Sequence, residues 1–540
     1  MAAVVDRHPL PAHSSDRLPR AQPLLVLAIL LGIITRAVPV FSTDFPLNDG
    51  GLFSVMSADL RENGYLLPGF TTYNAADIPF AYPPLGLYLD AVFGQPFLGT
   101  ETSLRFLPLF LACASVPSFY FMVRALVADQ DAALATLAWA LMPGAWMWQV
   151  TGGGITRSLG MVFAFLAVGM TIRLLQKENR RRWLLASILC GLTLMSHPEA
   201  SAFVATSLVV IAAAFHRQWR SLGTLVAVVA GAFLIAAPWW LTVVLTHGPD
   251  ALMSAGQSRL MSIPVAVAIL LNLQFTGEAY ISVGAVLGAV GFSIAIVTRR
   301  WWLIGWLVGT AFVLPGAFAT YGLVAWSLVI AIAIRALASL TAGRDARAVG
   351  IGVLTLATAT SLWARYENSG LLTSLSADQR DAIAWTQQHT PTDAAFIVVT
   401  GSDWPTDANA EWFPALADRR SVGTVQGLEF TSGARWDRAI AASAIIEECA
   451  ETTVDCLFAE SSAIGPFDYV FIPRGHAPGI DTDQCCKDLI ASLASDDRFL
   501  LRSELPGGWT FEHLHNPSGN TSQSPPAAVG VRRMVAPGPS

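Results

Sequence analysis

Between about residues 23 and 366 the apolar residues come in runs of roughly 15 to 25, the length needed to cross a hydrocarbon core about 30 Å thick. Backbone groups find no water in such a core, so each run has to be a helix that satisfies its own hydrogen bonds. The chain is 53% hydrophobic and 13% charged, with a mean hydropathy of +0.51; soluble domains carry about 25% charged residues. A soluble enzyme is excluded. A net charge of −6 gives no basic field, which argues against a nucleic-acid partner. Residues 1–22 are polar and carry Arg7, Arg17 and Arg20. The run that follows lacks a small-residue cleavage site and reads as a retained anchor.

Lys and Arg set the orientation. They cluster at Arg7/Arg17/Arg20, Arg124, Lys177/Arg180/Arg181/Arg182, Arg217/Arg220, Arg299/Arg300 and Arg344/Arg347, and the positive-inside rule asks for all of them on the cytoplasmic side. Crossings near 23–41, 104–124, 131–150, 157–175, 183–196, 200–215, 222–246, 279–298, 301–318, 321–340 and 348–366 meet that demand at every cluster. The expectation is therefore a polytopic α-helical protein of the plasma membrane with about eleven spans, N-terminus in and C-terminus out. The apolar stretches 82–98 and 262–276 then have to stay at the outer interface. Asp90, Pro83, Pro84 and Pro96 make the first a poor span.

That parity divides the chain into a cytoplasmic segment 1–22, a membrane domain 23–366 with a large first outer loop 42–103, an extracytoplasmic domain 367–515, and a Pro/Ser/Gly-rich tail 516–540 expected to be disordered. It also gathers most other ionisable groups on the outer rim: Asp44, Asp49, Arg157, His197, Glu199, His247, Arg259 and Glu278 among them. Charges at a membrane rim are costly and point to function. In the first loop an amphipathic helix is expected from near Asn48, with Leu52, Phe53, Val55, Met56 and Leu60 on one face and Ser54, Ser57, Arg61 and Glu62 on the other, lying along the interface. Asp49 at its start either caps free helix amides or points into a cavity.

The motifs LNDGGLF, with its acid before a juxtamembrane helix, and YPPLGLYL resemble the GT-C superfamily of membrane glycosyltransferases, in particular the branch related to protein mannosyltransferases and the RgtA/B/C/D-like proteins. The likeness extends to the short spans around SHPEA and to an outer α/β domain at DQRDAIAWTQQHTPTDAAFIVVTG and EWFPALADRRSVGTVQG. It implies transfer of a sugar from a polyprenyl-phosphate donor, with inversion, to an acceptor hydroxyl of a lipid, glycan or protein at the outer face. Asp49 matches the first-loop acid, implied to be the general base. Three positions depart from the family pattern. Asn48 and Gly50 flank Asp49 where many relatives have a second acid. Arg157 in GGGITRSLG stands where many carry another acid, and Tyr82 precedes Pro83-Pro84 where some have a basic residue. A divalent metal is accordingly possible but not indicated.

Each remaining candidate has a plain reading beside the functional one. Arg157 can bind a leaving phosphate bidentately, with neighbouring glycines allowing close approach, or snorkel at a helix end. His197 and Glu199 can contact carrier phosphate or acceptor, or belong to a cap and breaker at Ser196-His197-Pro198. Glu278 can act as a second acid or metal ligand, or be a helix-terminal charge. Tyr82 can hydrogen-bond the donor or be an interfacial aromatic. Asn48 is included as a substrate-binding candidate beside Asp49. The 17 Trp and 28 Phe are expected mainly at lipid-facing and belt positions.

Four of the six cysteines, Cys449, Cys456, Cys485 and Cys486, fall in the outer domain, where oxidation is permitted. The favoured bridges join Cys449 and Cys456 to the 485/486 pair, with Cys449–Cys456 alone as the alternative. Cys113 and Cys190 lie in spans as apolar packers. In the outer domain the pattern predicts helices at 376–390 and 482–494, buried strands at 395–400 and 468–473, and a closing hairpin at FLLRSELPGGWTFEHL. Two rival functions remain: a catalytically silent glycan- or lipid-binding relative, and a transporter or flippase, which should show broken helices in two matching halves.

Overall fold

A computed structural model of the chain describes residues 20–216, 218–257, 264, 267–268, 274–278, 282–340, 343–368, 370–474, 476–477, 480–481 and 485–514. Arg7, Arg17, Arg217, Arg259, the tail 516–540 and most of 262–276 lie outside the described residues.

The membrane part is built from α1 (Ala21–Phe41), α3 (Thr100–Val123), α4 (Asp129–Leu141), α5 (Gly154–Gln176), α6 (Arg180–Leu194), α7 (Pro198–Phe215), α8 (Trp219–His247), α9 (Val283–Val297), α10 (Trp301–Val313), α11 (Phe318–Leu340) and α12 (Gly343–Glu367), while α2 (Gly51–Glu62) belongs to the long segment between α1 and α3. Among the described residues seven helices are long and apolar enough to cross a membrane, and α9 and α10 are shorter apolar helices. Sequence marks the ends: Pro198 takes the first position of α7, where its missing N–H costs nothing, and the Asn179 side chain accepts from Arg182 N to cap α6. The stretch after Pro84 is helical at Leu85–Leu89, widens into a π turn at Asp90–Gly94 and closes at Gln95–Leu98. That piece falls well short of the roughly 20 residues a span needs. Asp90 is fully buried there, accepting from Gln95 Nε2 at 2.9 Å and from Ser103.

Aromatic side chains pack between the helices more than the sequence suggested. Phe119 stacks on Trp139 at 4.9 Å, Phe165 meets both, and Phe203 lies against Phe165, Trp306 and Tyr321. Phe119, Trp139, Phe165, Phe203 and Trp306 are all fully buried. Lipid is as apolar as these rings, so dispersion contacts and close helix packing, not expulsion from water, place them inside.

The C-terminal part opens with α13 (Ala377–His389), started by a reciprocal capping box between Ser376 and Gln379. It continues through β1 (Ala395–Val398), α14 (Ala408–Ala417), β2 (Arg420–Ser421), α15 (Gly433–Cys449), β3 (Tyr469–Pro473), α16 (Lys487–Ser495), β4 (Phe499–Leu505) and β5 (Gly508–His513). The sheet order is β2-β1-β3-β5-β4. β1 runs parallel to both neighbours, with Phe396 opposite Tyr469, and the β4–β5 hairpin closes the sheet antiparallel, with Leu505 opposite Gly508. The disulfides form within each cysteine pair, Cys449–Cys456 and Cys485–Cys486, in place of the favoured cross-bridges. The turn after α15 brings Cys449 and Cys456 to a Cα separation of 5.6 Å, within ordinary bridging range.

The segment between α1 and α3 and the C-terminal part share one apolar core. Phe45, Leu52, Phe53, Met56, Tyr73, Phe80 and Tyr82 pack in the same cluster as Trp412, Phe413, Leu428 and Phe430. Polar ties reinforce it: Asn74 exchanges hydrogen bonds with Ser421, Arg380 pairs with Asp44 at 2.8 Å, and Arg435 donates to Ala76 O. This changes the reading of α2. Ser54 and Ser57, expected on an open polar face, are buried with Leu52, Phe53, Met56 and Leu60, because the Leu85–Leu98 segment lies against them: Gln95 Nε2 donates to Ser54 O at 3.0 Å and Ser57 Oγ donates to Leu87 O at 3.4 Å. Arg61 and Glu62 stay exposed as expected.

Candidate active site

α5 begins at Gly154 and ends at Gln176, next to Lys177; 23 residues at 1.5 Å each separate its ends by about 34 Å. The Lys177–Arg182 cluster lies at one end. Asp49 lies at the other, where its Oδ1 accepts from Gly153 N at 2.8 Å and its Oδ2 from Arg157 Nη2 at 2.5 Å. The Asp49 and Arg157 side chains are only 13% and 15% exposed. Arg157 is held by Trp148 O at 3.3 Å and Thr151 Oγ1 at 2.9 Å, and its guanidinium lies 5.1 Å from the Trp148 ring centre. Burial pushes the Asp49 carboxyl up, but the Arg157 charge and hydrogen bond, with the Gly153 amide, outweigh it and hold the group below its ordinary value. Asp49 is therefore ionised at neutral pH.

The glycines make this approach possible. A Cβ on Gly152 would sit 1.9 Å from Asp49 O, and one on Gly153 would sit 2.5 Å from Asp49 Oδ2 and 2.6 Å from the Phe53 ring. Gly50 has a φ of +143°, and a Cβ there would meet the Trp412 ring at 2.7 Å.

Tyr82 stands beside the pair. It is 5% exposed, its hydroxyl is 3.3 Å from Thr156 Oγ1, and its ring packs edge-on against Phe53 and Phe430. Asn48 is tied to the C-terminal part: its N donates to Thr373 O, its Nδ2 to Pro405 O, and Trp412 Nε1 donates to its carbonyl at 3.0 Å. His197 is the residue before α7, 2% exposed and 3.9 Å from Glu199. That turn joins the same rim through Leu85 N, which donates to Met195 O at 2.9 Å. Glu278 accepts from Gly284 N at 2.8 Å and Ala285 N at 3.2 Å at the start of α9, so its carboxylate serves a helix terminus. Burial raises the Glu278 carboxyl despite those amides.

Glu411 escaped the sequence reading. It is 1% exposed. Its Oε2 accepts from Gly50 N at 3.1 Å and Gly51 N at 2.9 Å, and its Oε1 accepts from Leu52 N at 3.0 Å. The acceptor for the free amides of α2 is thus a carboxylate from α14, about 360 residues away, and not Asp49. Burial, then the Asp49 charge, push the Glu411 carboxyl up to about 7 against the pull of its three amide donors. A local spacing pattern carries no trace of such a partner.

Among the described residues no group of three His, Cys, Asp or Glu side chains converges to hold a metal ion. Asp49 already faces a guanidinium, whose charge opposes a divalent cation at the same carboxylate.

The sequence model of the dolichyl-phosphate-mannose-protein mannosyltransferase family matches residues 81–242, from the Tyr82-Pro83-Pro84 segment into α8. No curated protein sequence matches the chain. Among solved structures, ArnT from Cupriavidus metallidurans bound to undecaprenyl phosphate aligns with a TM-score of 0.54 at 14% identity, covering 93% of this chain and 100% of that one. The archaeal oligosaccharyltransferase AglB from Archaeoglobus fulgidus, in complex with an inhibitory peptide and a dolichol-phosphate, aligns with a TM-score of 0.51 at 15% identity, covering 84% and 69%. At these identities the likeness is one of fold. The chain is a membrane protein with the fold of the GT-C superfamily.

Proposed function

We propose that the chain is an inverting glycosyltransferase that moves a sugar from a polyprenyl-phosphate-linked donor to an acceptor hydroxyl at the outer membrane face. The observation that carries this reading is the Asp49–Arg157 pair, joined at 2.5 Å beneath the C-terminal domain. In this reading Asp49, ionised at neutral pH, takes the proton of the attacking hydroxyl as that oxygen bonds to the anomeric carbon. General-base help of this kind is worth about 10²- to 10⁴-fold. The bond from the anomeric carbon to the phosphate oxygen breaks on the opposite side of the sugar, and the Arg157 guanidinium stabilises the phosphate charge that develops. Tyr82 lines the donor side, with His197 and Glu199 further along the rim. Eleven crossings with the basic clusters inside put this rim, and residues 367–515, on the extracytoplasmic side. The ends of α5 support that orientation, one basic and the other carrying the pair.

The test is sugar transfer from a labelled polyprenyl-phosphate donor by membranes holding Asp49→Asn at parental abundance. Transfer should fall at least about 10²-fold. Full activity in that variant removes Asp49 as the base, and activity reached only by donor from the cytoplasmic side of sealed vesicles removes the orientation.

A further inference from the structure

We propose that Glu411 is a positioning residue for this transfer: its carboxylate, carried by the C-terminal domain, fixes residues 50–52 and through them the direction in which Asp49 faces Arg157. The inference rests on the reading of Asp49 as the base.

Four observations carry it. Gly50, Gly51 and Leu52 open α2, and their amides would otherwise lack helical partners. Glu411 accepts all three, at 2.9 to 3.1 Å, from a fully buried position. The helix N-terminal dipole favours a negative charge at that spot. Second, the next residue on α14, Trp412, donates to Asn48 O at 3.0 Å and covers Gly50, so one helix grips the loop on both sides of Asp49. Third, the opposite side of Asp49 is a wall: its carbonyl lies against Gly152 and its carboxylate against Gly153. The loop is thus held between these glycine contacts and the Glu411 and Trp412 contacts of α14. Fourth, Tyr73 supports the grip from within the loop, donating from its hydroxyl to Glu411 O at 2.5 Å.

The charged and titratable groups around Glu411 are Asp49 on the loop, Arg157 behind it on α5, and Tyr73 with Glu429 beyond. The ionised carboxylate accepts three N–H groups. Protonation, or replacement by an amide, turns one of its two heavy atoms into a donor aimed at backbone donors. Catalysis should therefore weaken as pH falls through about 7. Folding stability responds in the other sense. A carboxyl raised from 4.5 to about 7 contributes stability that is complete below the unfolded value and lost as pH rises through the folded one. Activity and stability thus move oppositely across one pH window, which a plain packing role for Glu411 does not produce.

The experiment uses the full chain in lipid nanodiscs, comparing the parent with Glu411→Gln and Glu411→Asp. Two quantities are read: steady-state transfer between pH 5.5 and 8.5, and amide exchange of the peptide spanning residues 48–56. For Glu411→Gln the expected result is a kcat lowered about 10- to 100-fold, a donor KM changed less than about threefold, no acid limb near neutral pH, and faster exchange at residues 50–52. Glu411→Asp keeps the charge and should recover part of kcat and the pH dependence. Parental kcat and pH profile in Glu411→Gln, or unchanged exchange, overturns the inference. Absence of transfer by the parent chain would instead remove the glycosyltransferase reading, and the exchange measurement alone would then decide whether Glu411 holds the loop.

Discussion

Asp49 and Arg157 can be separated by a double-mutant cycle of Asp49→Asn, Arg157→Gln and the double variant, read by thermal unfolding of the purified chain in nanodiscs. Their side chains meet at 2.5 Å and are 13% and 15% exposed. Unit charges about 4 Å apart at an effective dielectric of about 20 attract by about 4 kcal/mol. Removing one partner of a buried pair costs about 3–5 kcal/mol, much of it the burden of the charge left behind, and the residual exposure lowers this to about 2–4 kcal/mol here. The double variant leaves no charge behind. Two amides of similar size remain, so it should cost about as much as one single substitution, giving a coupling of about 2–4 kcal/mol. Each single variant should melt several degrees below the parent, with the double no lower than the worse single. In the parent the Asp49 contribution is complete above the unfolded carboxyl value of 3.8 and is lost as pH falls through the lower folded value, so Arg157→Gln should flatten the stability profile below about pH 4. Costs that add to within about 0.5 kcal/mol would show that the two residues do not pair, and the site as described would fall with them.

Gly153→Ala should reach the membrane at parental levels yet lose at least about 10²-fold in transfer, because the new methyl would lie 2.5 Å from Asp49 Oδ2 and displace the base; parental turnover would contradict the geometry. Arg36 in α1 is fully buried, spends Nη1 on Gly32 O and Ala140 O, lies 5.3 Å from the Trp139 ring centre, and leaves Nε and Nη2 without a hydrogen-bond acceptor among the described residues. Replacing a poorly satisfied buried charge by an apolar group of similar volume is neutral or stabilising by about 1–4 kcal/mol, so Arg36→Met should not lower the melting temperature, and a large fall would show that Arg36 has a partner in the membrane.

The membrane character of the chain was legible from hydropathy alone, because lipid leaves a backbone no choice but helices of a set length. The helices at 21–41, 100–123, 154–176, 198–215 and 219–247 lie where the apolar runs do, and α13, β1, β3 and the closing hairpin of the C-terminal part followed from residue pattern. Asp49, Tyr82 and Arg157 could be singled out as rare polar groups on one rim, but nothing local said that two of them form an ion pair. That contact joins residues 108 positions apart, and it exists because Gly152 and Gly153 let two backbones touch. The helix after Asp49 shows the limit most clearly. Its amphipathic pattern suggested an interface helix with an open polar face, and left Asp49 as either its cap or a group pointing into a cavity. The tertiary structure buries Ser54 and Ser57 of the polar face, leaves Arg61 and Glu62 exposed, and supplies the cap from Glu411. Periodicity records which side of a helix is apolar, whereas what covers its other side and what caps its first turn depend on segments that reach it only once the chain has folded.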